Sequence, residues 1–300
     1  MSGYITNGTT QDGFGARMQR AVNTMAFTFY LRDTYGVDIE YIHTPFAYEG
    51  FEKFNKEEVA RAVGDNLKPY NEISREGYLK RAVLWDNCMQ YSGTTISYFN
   101  FTNIKIVNSL DFDKRSLFSD VSNKNINNKL YFVKYLSKEL NSGNLDVNIV
   151  DKYYSEIRER FKFITPATGN SIIIHIRRKD AIKFGSQRYV DDGYYLGILK
   201  ALIPFKDKYD ITIHTQRKGF DSSKYTNWHV IYDDEEEDYD LFLNMISAKI
   251  LVVGKSSFSI AAGYFNRNIV IYPSQPTKGL SRWINNVQFL KILANDKVSI

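Results

Sequence analysis

The sequence predicts an α/β protein of two domains, the second of them a doubly wound parallel sheet, and three observations carry that prediction. The chain has 300 residues, at the size where a single core usually stops growing, about 250–300 residues. Its second half alternates short β-branched runs with helix-length stretches at the spacing of βα units. Between the halves lies ITPATGN (164–170), whose Pro and Gly mark a hinge. The expected domains are therefore 1–165 and 166–300.

In the second half the expected strands are SIIIHI (171–176), DITIHT (210–215), HVIYD (229–233), KILVVG (249–254) and NIVIYP (268–273). Helical patterns fill 189–203, 236–248 and 256–265. Strands that are apolar on both faces and separated by helices belong to a parallel sheet covered on both sides. The first half opens with GYIT (3–6), a glycine-bearing loop, a helical pattern through about Thr34 and DIEYIHTPF (38–46), which reads as β-loop-α-β. Farther on, 73–91 reads as helix, 98–108 as strand, SDVSNKNINNK (119–129) as polar loop, KLYFVKYLSKELN (129–141) as helix and 147–164 as a long helix.

Thirty-nine basic and 34 acidic residues leave a charge of +5, interspersed along the chain. Nothing in that pattern calls for nucleic acid, while a modest positive excess suits a small polyanion. The single Cys88 has no partner for an internal disulfide, which points to a reducing compartment. The first thirty residues hold no apolar run of signal-peptide length, and no stretch approaches the ~20 apolar residues of a membrane helix. A cytoplasmic location is expected. The 22 Tyr and 20 Phe suit core packing first and sugar stacking second.

In such sheets ligands bind beyond the carboxyl ends of the strands, so the βα loops are where chemistry is sought. The loop DGFGARMQR (12–20) follows a strand and opens a helix; Gly13 and Gly15 allow backbone N–H groups to approach an anion closely. IIIHIRRKD (172–180) ends an apolar strand in His175, Arg177, Arg178 and Asp180, a cationic cluster where a diphosphate would sit. His175 and Arg177 share one face by strand parity, and Arg carries a planar fork matched to phosphate oxygens. SAKILVVGKSSFSIAAGYF (247–265) is a strand followed by Ser256, Ser257, Phe258 and Ser259 at a helix start, where N–H groups and hydroxyls can bind phosphate or the serine can simply cap the helix. A P-loop is excluded, because the earlier glycine it requires would fall at Lys249.

GFGARMQ, HIRRKD and AKILVVGKSSFSIAAGYF, in that order, resemble the α1,2- and α1,6-fucosyltransferase superfamily. The resemblance implies GT-B architecture, with two Rossmann-like domains facing across a cleft, and no required metal or other cofactor beyond the nucleotide-sugar substrate. It implies that Arg177 binds the donor β-phosphate, that His175 and the serines at 256–259 hold the rest of the nucleotide, and that Gly13 and Gly15 lie near the donor sugar. Four departures bear on donor and acceptor identity: Ala16-Arg17 replaces an Asn-Gln pair, Lys179 stands where Gly is usual, HTQ (214–216) replaces an Asp pair, and Ile260-Ala261 replaces an aromatic pair. Arg17 and His214 are accordingly kept as substrate-binding candidates beside Arg178 and Asp180.

The expected reaction is displacement at an anomeric carbon, inverting by resemblance, with the departing diphosphate stabilised by Arg177, Arg178 and helix-terminus donors. A carboxylate of the first domain would take the proton of the acceptor hydroxyl, with Asp12, Glu49 and Glu52 as candidates and His43 as another. Asp233 could accept hydrogen bonds from a guanine edge. GDP-fucose and a glycan are the expected substrates. Alternatives are a related enzyme using UDP-xylose or GDP-rhamnose, a non-catalytic nucleotide-sugar binding protein, and a metal-dependent transferase using the DDEEED run (233–238).

Overall fold

The computed structural model describes residues 2–7, 14–45, 83–87, 89–93, 95, 103–107, 114–127, 129–133, 147–163, 169–179, 181–182, 188–233, 239–273 and 280–294. The chain divides into two compact units, Met1–Phe163 and Ile164–Ile300. Elements are labelled in chain order among the described residues.

The first unit contains β1 (Gly3–Asn7), α1 (Phe14–Tyr35), β2 (Ile39–Tyr41), β3 (Asn103–Val107), α2 (Lys114–Ser122), β4 (Lys129–Val133) and α3 (Val147–Glu159). Its strands form one parallel sheet in the order β2-β1-β4-β3. One face of that sheet presents Ile5, Ile39, Tyr131 and Val133 to Phe27 and Leu31 of α1 and to Leu117 and Val121 of α2. Burial of such side chains, at ~25 cal/mol per Å² of apolar surface, is the main force holding the layers together.

Two sequence expectations are corrected here. KLYFV at 129–133 is not the start of a helix but the inner strand β4, paired on both sides. Leu130, Tyr131 and Val133 are all buried, so the run is apolar on both faces and its period gives no strand signal. Ser119–Ser122, read as loop, closes helix α2.

The second unit contains β5 (Ser171–Ile176), α4 (Asp192–Leu202), β6 (Asp210–Thr215), β7 (His229–Tyr232), α5 (Tyr239–Ser247), β8 (Ile250–Val252), α6 (Ser257–Phe265), β9 (Ile269–Tyr272), β10 (Ile284–Asn285) and α7 (Asn286–Ala294). The sheet is parallel throughout, in the order β10-β9-β8-β5-β6-β7. Counted from β5, this is the 3-2-1-4-5-6 order of a dinucleotide-type doubly wound sheet. Alternate residues take opposite faces: Ile172, Ile174 and Ile176 pack with Tyr195, Ile198, Leu199 and Leu202 of α4 and with Phe289 of α7. His175 looks the other way, toward Phe258 of α6, which in turn packs on Phe242 of α5. The α/β class with two Rossmann-like sheets is thus the architecture of this chain.

The strand order creates one special position. From β5 the chain steps outward to β6 and β7, then returns through α5 to β8 on the opposite side of β5. The loops after β5 and β8 therefore diverge, leaving a crevice at their carboxyl ends where a ligand can reach the sheet edge.

Candidate functional site

At that divergence the β5 tip carries His175 and half-buried Arg177, and the β8 tip carries Gly254, Lys255 and Ser256 before α6 begins. Gly254 leaves room for the Tyr195 hydroxyl, which a Cβ there would meet and force to shift. Tyr194, its neighbour on α4, donates from its hydroxyl to the Val253 carbonyl at 2.9 Å, which ties the same strand end to α4.

Three buried polar atoms around the sheet's carboxyl edge have no hydrogen-bond partner among the described residues: His175 Nδ1, Thr215 Oγ1 and Ser256 Oγ. Leaving such an atom unsatisfied costs about 1–3 kcal/mol, so orphans gathered at one edge call for a ligand or water. Ser256 holds the N-cap position of α6 with extended backbone, yet its hydroxyl makes no capping bond. Plain N-capping by serine, the ordinary explanation for such a residue, is therefore absent. Arg177 and Ser256 follow the ends of the paired neighbours β5 and β8, and a guanidinium, an uncommitted hydroxyl and the positive end of the α6 dipole are groups suited to phosphate oxygens.

His175 is 3% exposed, and its pKa is pushed down to about 3, by burial first and then by the charges of Arg177 and His214. At neutral pH it is an uncharged imidazole. Opposite it in register on β6 lies His214, whose Nδ1 is 3.0 Å from Asp233 Oδ2. The carboxylate accepts that bond through one oxygen, and the backbone N–H of Asp233 donates to the Thr215 carbonyl at 2.8 Å.

Arg178 does not share the role of Arg177. Its side chain is 1% exposed and lies inside the fold, paired with Asp192. Its Nη1 donates to the carbonyls of Arg177 at 3.1 Å and Val190 at 3.2 Å. The expectation of two arginines facing a diphosphate is corrected to one, because strand parity sends the second side chain to the α4 face. Phe258 and Ser259 likewise turn inward. The Phe258 ring packs on His175 with centroids 6.0 Å apart, and the Ser259 hydroxyl donates to the Ser256 carbonyl at 3.4 Å. Ser257 remains half-buried at the helix start.

Sequence reasoning missed Asp192, which reads simply as an acid in a first helical turn, and Thr215, hidden in an apolar strand. Lys179, just past the arginine pair, has φ 43°. A side chain in this left-handed region costs about 1–2 kcal/mol. Lys179→Gly is expected to raise stability by about 0.5–1 kcal/mol after the entropy of the unfolded chain is counted, measured by urea unfolding.

In the first unit the carboxyl ends of β1 and β2 meet in a buried polar cluster. Thr6 and Thr44 share a hydroxyl hydrogen bond at 2.6 Å. The Tyr41 hydroxyl donates to Asn7 Oδ1 and lies 3.3 Å from His43 Nδ1. The His43 ring stands 4.8 Å from that of Tyr91, and its pKa is pushed down to about 3 by burial and secondarily by Arg17. Arg17 is buried on α1, and Gly15 is helical in the first turn of α1. Asp12, Gly13, Glu49, Glu52 and Asp180 lie outside the described residues, as does the DDEEED run after Asp233. Among the described residues no group of three His, Cys, Asp or Glu is placed to hold a metal, and no helix is long and apolar enough to cross a membrane.

The fold and the β5–β8 crevice define a doubly wound α/β protein with an anion-suited strand edge. No family model matches the chain, and no curated protein matches it. Solved structures similar to it include the E. coli heptosyltransferase WaaC with ADP-2-deoxy-2-fluoro heptose, at 10% identity and TM-score 0.39, covering 99% of this chain and 100% of that one. The glycotransferase of kitacinnamycin is 10% identical with TM-score 0.34, covering 98% of this chain and 90% of that one. UDP-GlcNAc 2-epimerase from Methanocaldococcus jannaschii is 9% identical with TM-score 0.33, covering 99% of this chain and 92% of that one. Likenesses this distant carry nothing about ligand or reaction.

Proposed function

We propose that this chain is a cytoplasmic glycosyltransferase of GT-B type that moves a sugar, fucose in the first instance, from GDP-fucose to a glycan hydroxyl, with inversion and without a metal. The supporting observation is the β5–β8 edge, where Arg177, the unpartnered Ser256 Oγ and the uncapped start of α6 are donors of the kind diphosphate oxygens accept, beside the buried, unpartnered His175 Nδ1. The second unit holds the donor and the first unit binds the acceptor. The bond between the anomeric carbon and the β-phosphate oxygen breaks, and its electron pair leaves on the diphosphate. Arg177 neutralises the charge that develops there. A bond from the acceptor oxygen to the anomeric carbon forms, and the hydroxyl proton passes to a carboxylate among Asp12, Glu49 and Glu52. The free oxygen of Asp233 meets the guanine edge.

The test is a thermal-shift comparison of GDP-fucose, GDP, UDP-xylose and UDP in the presence of EDTA. Ligand at 100 times its Kd stabilises by about 2.7 kcal/mol, and the two guanine ligands are expected to raise Tm while the uracil ligands do not. Equal shifts by all four would remove the donor assignment. Shifts that appear only when Mn²⁺ replaces EDTA would replace the metal-free mechanism by a metal-dependent one.

A further inference from the structure

Resting on the reading of Arg177 as the ligand of the diphosphate, we infer that Arg178 is a positioning residue whose buried guanidinium sets the backbone of the β5 tip and thereby aims Arg177. This one side chain ties the β5 tip to the 189–195 segment. Nη1 ties the Arg177 carbonyl, at 3.1 Å, to the Val190 carbonyl, at 3.2 Å, and the other arm pairs with Asp192 at the start of α4. The rings of Tyr189 and Tyr195 lie 4.8 and 5.6 Å from the guanidinium carbon. Asp192 is itself fixed by the Tyr225 hydroxyl and Lys224 Nζ, each at 2.8 Å.

The backbone on either side of Arg178 is bound as tightly. Its own N–H donates to Gln216 Oε1 at 2.9 Å, joining the tips of β5 and β6. The Lys179 N–H donates to the Lys218 carbonyl at 2.9 Å, and the Ala181 N–H to the Arg178 carbonyl at 2.8 Å. A buried ion pair adds little net stability over apolar packing of the same volume; what it supplies here is a fixed path for the peptide that carries Arg177. Lysine could keep the pairing with Asp192, but a single ammonium cannot span two carbonyls and a carboxylate in the plane of a guanidinium fork.

The experiment is a double-mutant cycle on the full chain, with inorganic pyrophosphate as probe, binding read by calorimetry and folding by thermal melts. Arg177→Ala is expected to weaken pyrophosphate binding about 100-fold, the range of lost charge-assisted hydrogen bonds. Arg178→Lys and Asp192→Asn are each expected to weaken it about tenfold through misplacement. Arg178→Lys in the Arg177→Ala background is expected to add nothing, because the misplaced group is already gone. Val270→Ala, a truncation in the buried strand β9 outside this network that removes some stability, is expected to bind as the unaltered protein does. If Arg177→Ala binds like the unaltered protein, the diphosphate reading itself falls. If Arg177→Ala loses binding but the Arg178→Lys loss persists undiminished on top of it, Arg178 touches the anion directly and the positioning role is wrong. Unchanged affinity in both Arg178→Lys and Asp192→Asn overturns it as well. So does unfolding of both while Val270→Ala folds and binds, since Arg178 would then serve stability alone.

Discussion

Arg177→Ala is expected to lower kcat/KM for release of GDP from GDP-fucose by about 100- to 1,000-fold, the cost of deleting one donor aimed at developing charge. The expectation follows from geometry at the β5 tip. Arg178 is held inside the fold, which leaves Arg177 as the guanidinium of the pair set at the crevice edge. A leaving diphosphate gains negative charge as its bond to the sugar breaks, and a planar fork meets two of its oxygens at once. Arg177→Lys keeps the charge and loses the fork, so its loss is smaller than that of the alanine variant. Ser256→Ala removes a hydroxyl that has no partner within the described fold. It should therefore cost binding without costing stability, opposite to the usual effect of deleting an N-cap. Release of GDP by Arg177→Ala at the rate of the unaltered protein would contradict the account.

The second large effect is on stability in acid. His43 and His175 are both pushed down to about 3 by burial, whereas an unfolded histidine titrates near its ordinary value of about 6.5. Between those values the unfolded chain binds a proton that the folded one refuses, so stability rises with pH across the window and falls as pH drops from about 6.5 toward 3. The slope is about 1.4 kcal/mol per pH unit for each histidine. His43 belongs to the first unit and His175 to the second, so each unit carries one such proton. Asp192, held below the usual carboxylate range against its burial by Lys224, Tyr225 and Arg178, adds a loss in the second unit that begins only below about pH 4. Urea unfolding at pH 7, 6 and 5 measures the slope. His175→Asn is expected to flatten the transition of the second unit and leave that of the first unchanged. A stability independent of pH between 7 and 5 would show both histidines to be exposed to water.

Much of the second unit was legible in the sequence, because Ile172–Ile176, Ile211–Ile213 and Ile250–Val252 are buried on both faces and interrupted by helices of matching length. The same property misled at KLYFV (129–133), where an inner strand without alternation runs into Lys, Leu and Glu at helical spacing. The identity of the strands could be read, but not their order: nothing local states that β8 returns to lie beside β5. Yet that neighbour relation is what places Ser256 and Arg177 at one crevice. Site residues divided along the same line. His175, Arg177 and Ser256 announce themselves as polar residues ending apolar runs. The pairing of Arg178 with Asp192 spans 14 positions and depends on how α4 packs on the sheet, so the two adjacent arginines look alike in sequence and differ in the fold.

The proposed chemistry requires a diphosphate to bind at the β5 tip. The most direct measurement is a crystal structure of the chain with GDP in the absence of divalent metal. The expected density places the β-phosphate against the Arg177 guanidinium and the first turn of α6, with Ser256 Oγ and His175 Nδ1 each within hydrogen-bond reach of the ligand or of a water it holds. GDP bound elsewhere, with Arg177 directed away from it, would contradict the proposed chemistry.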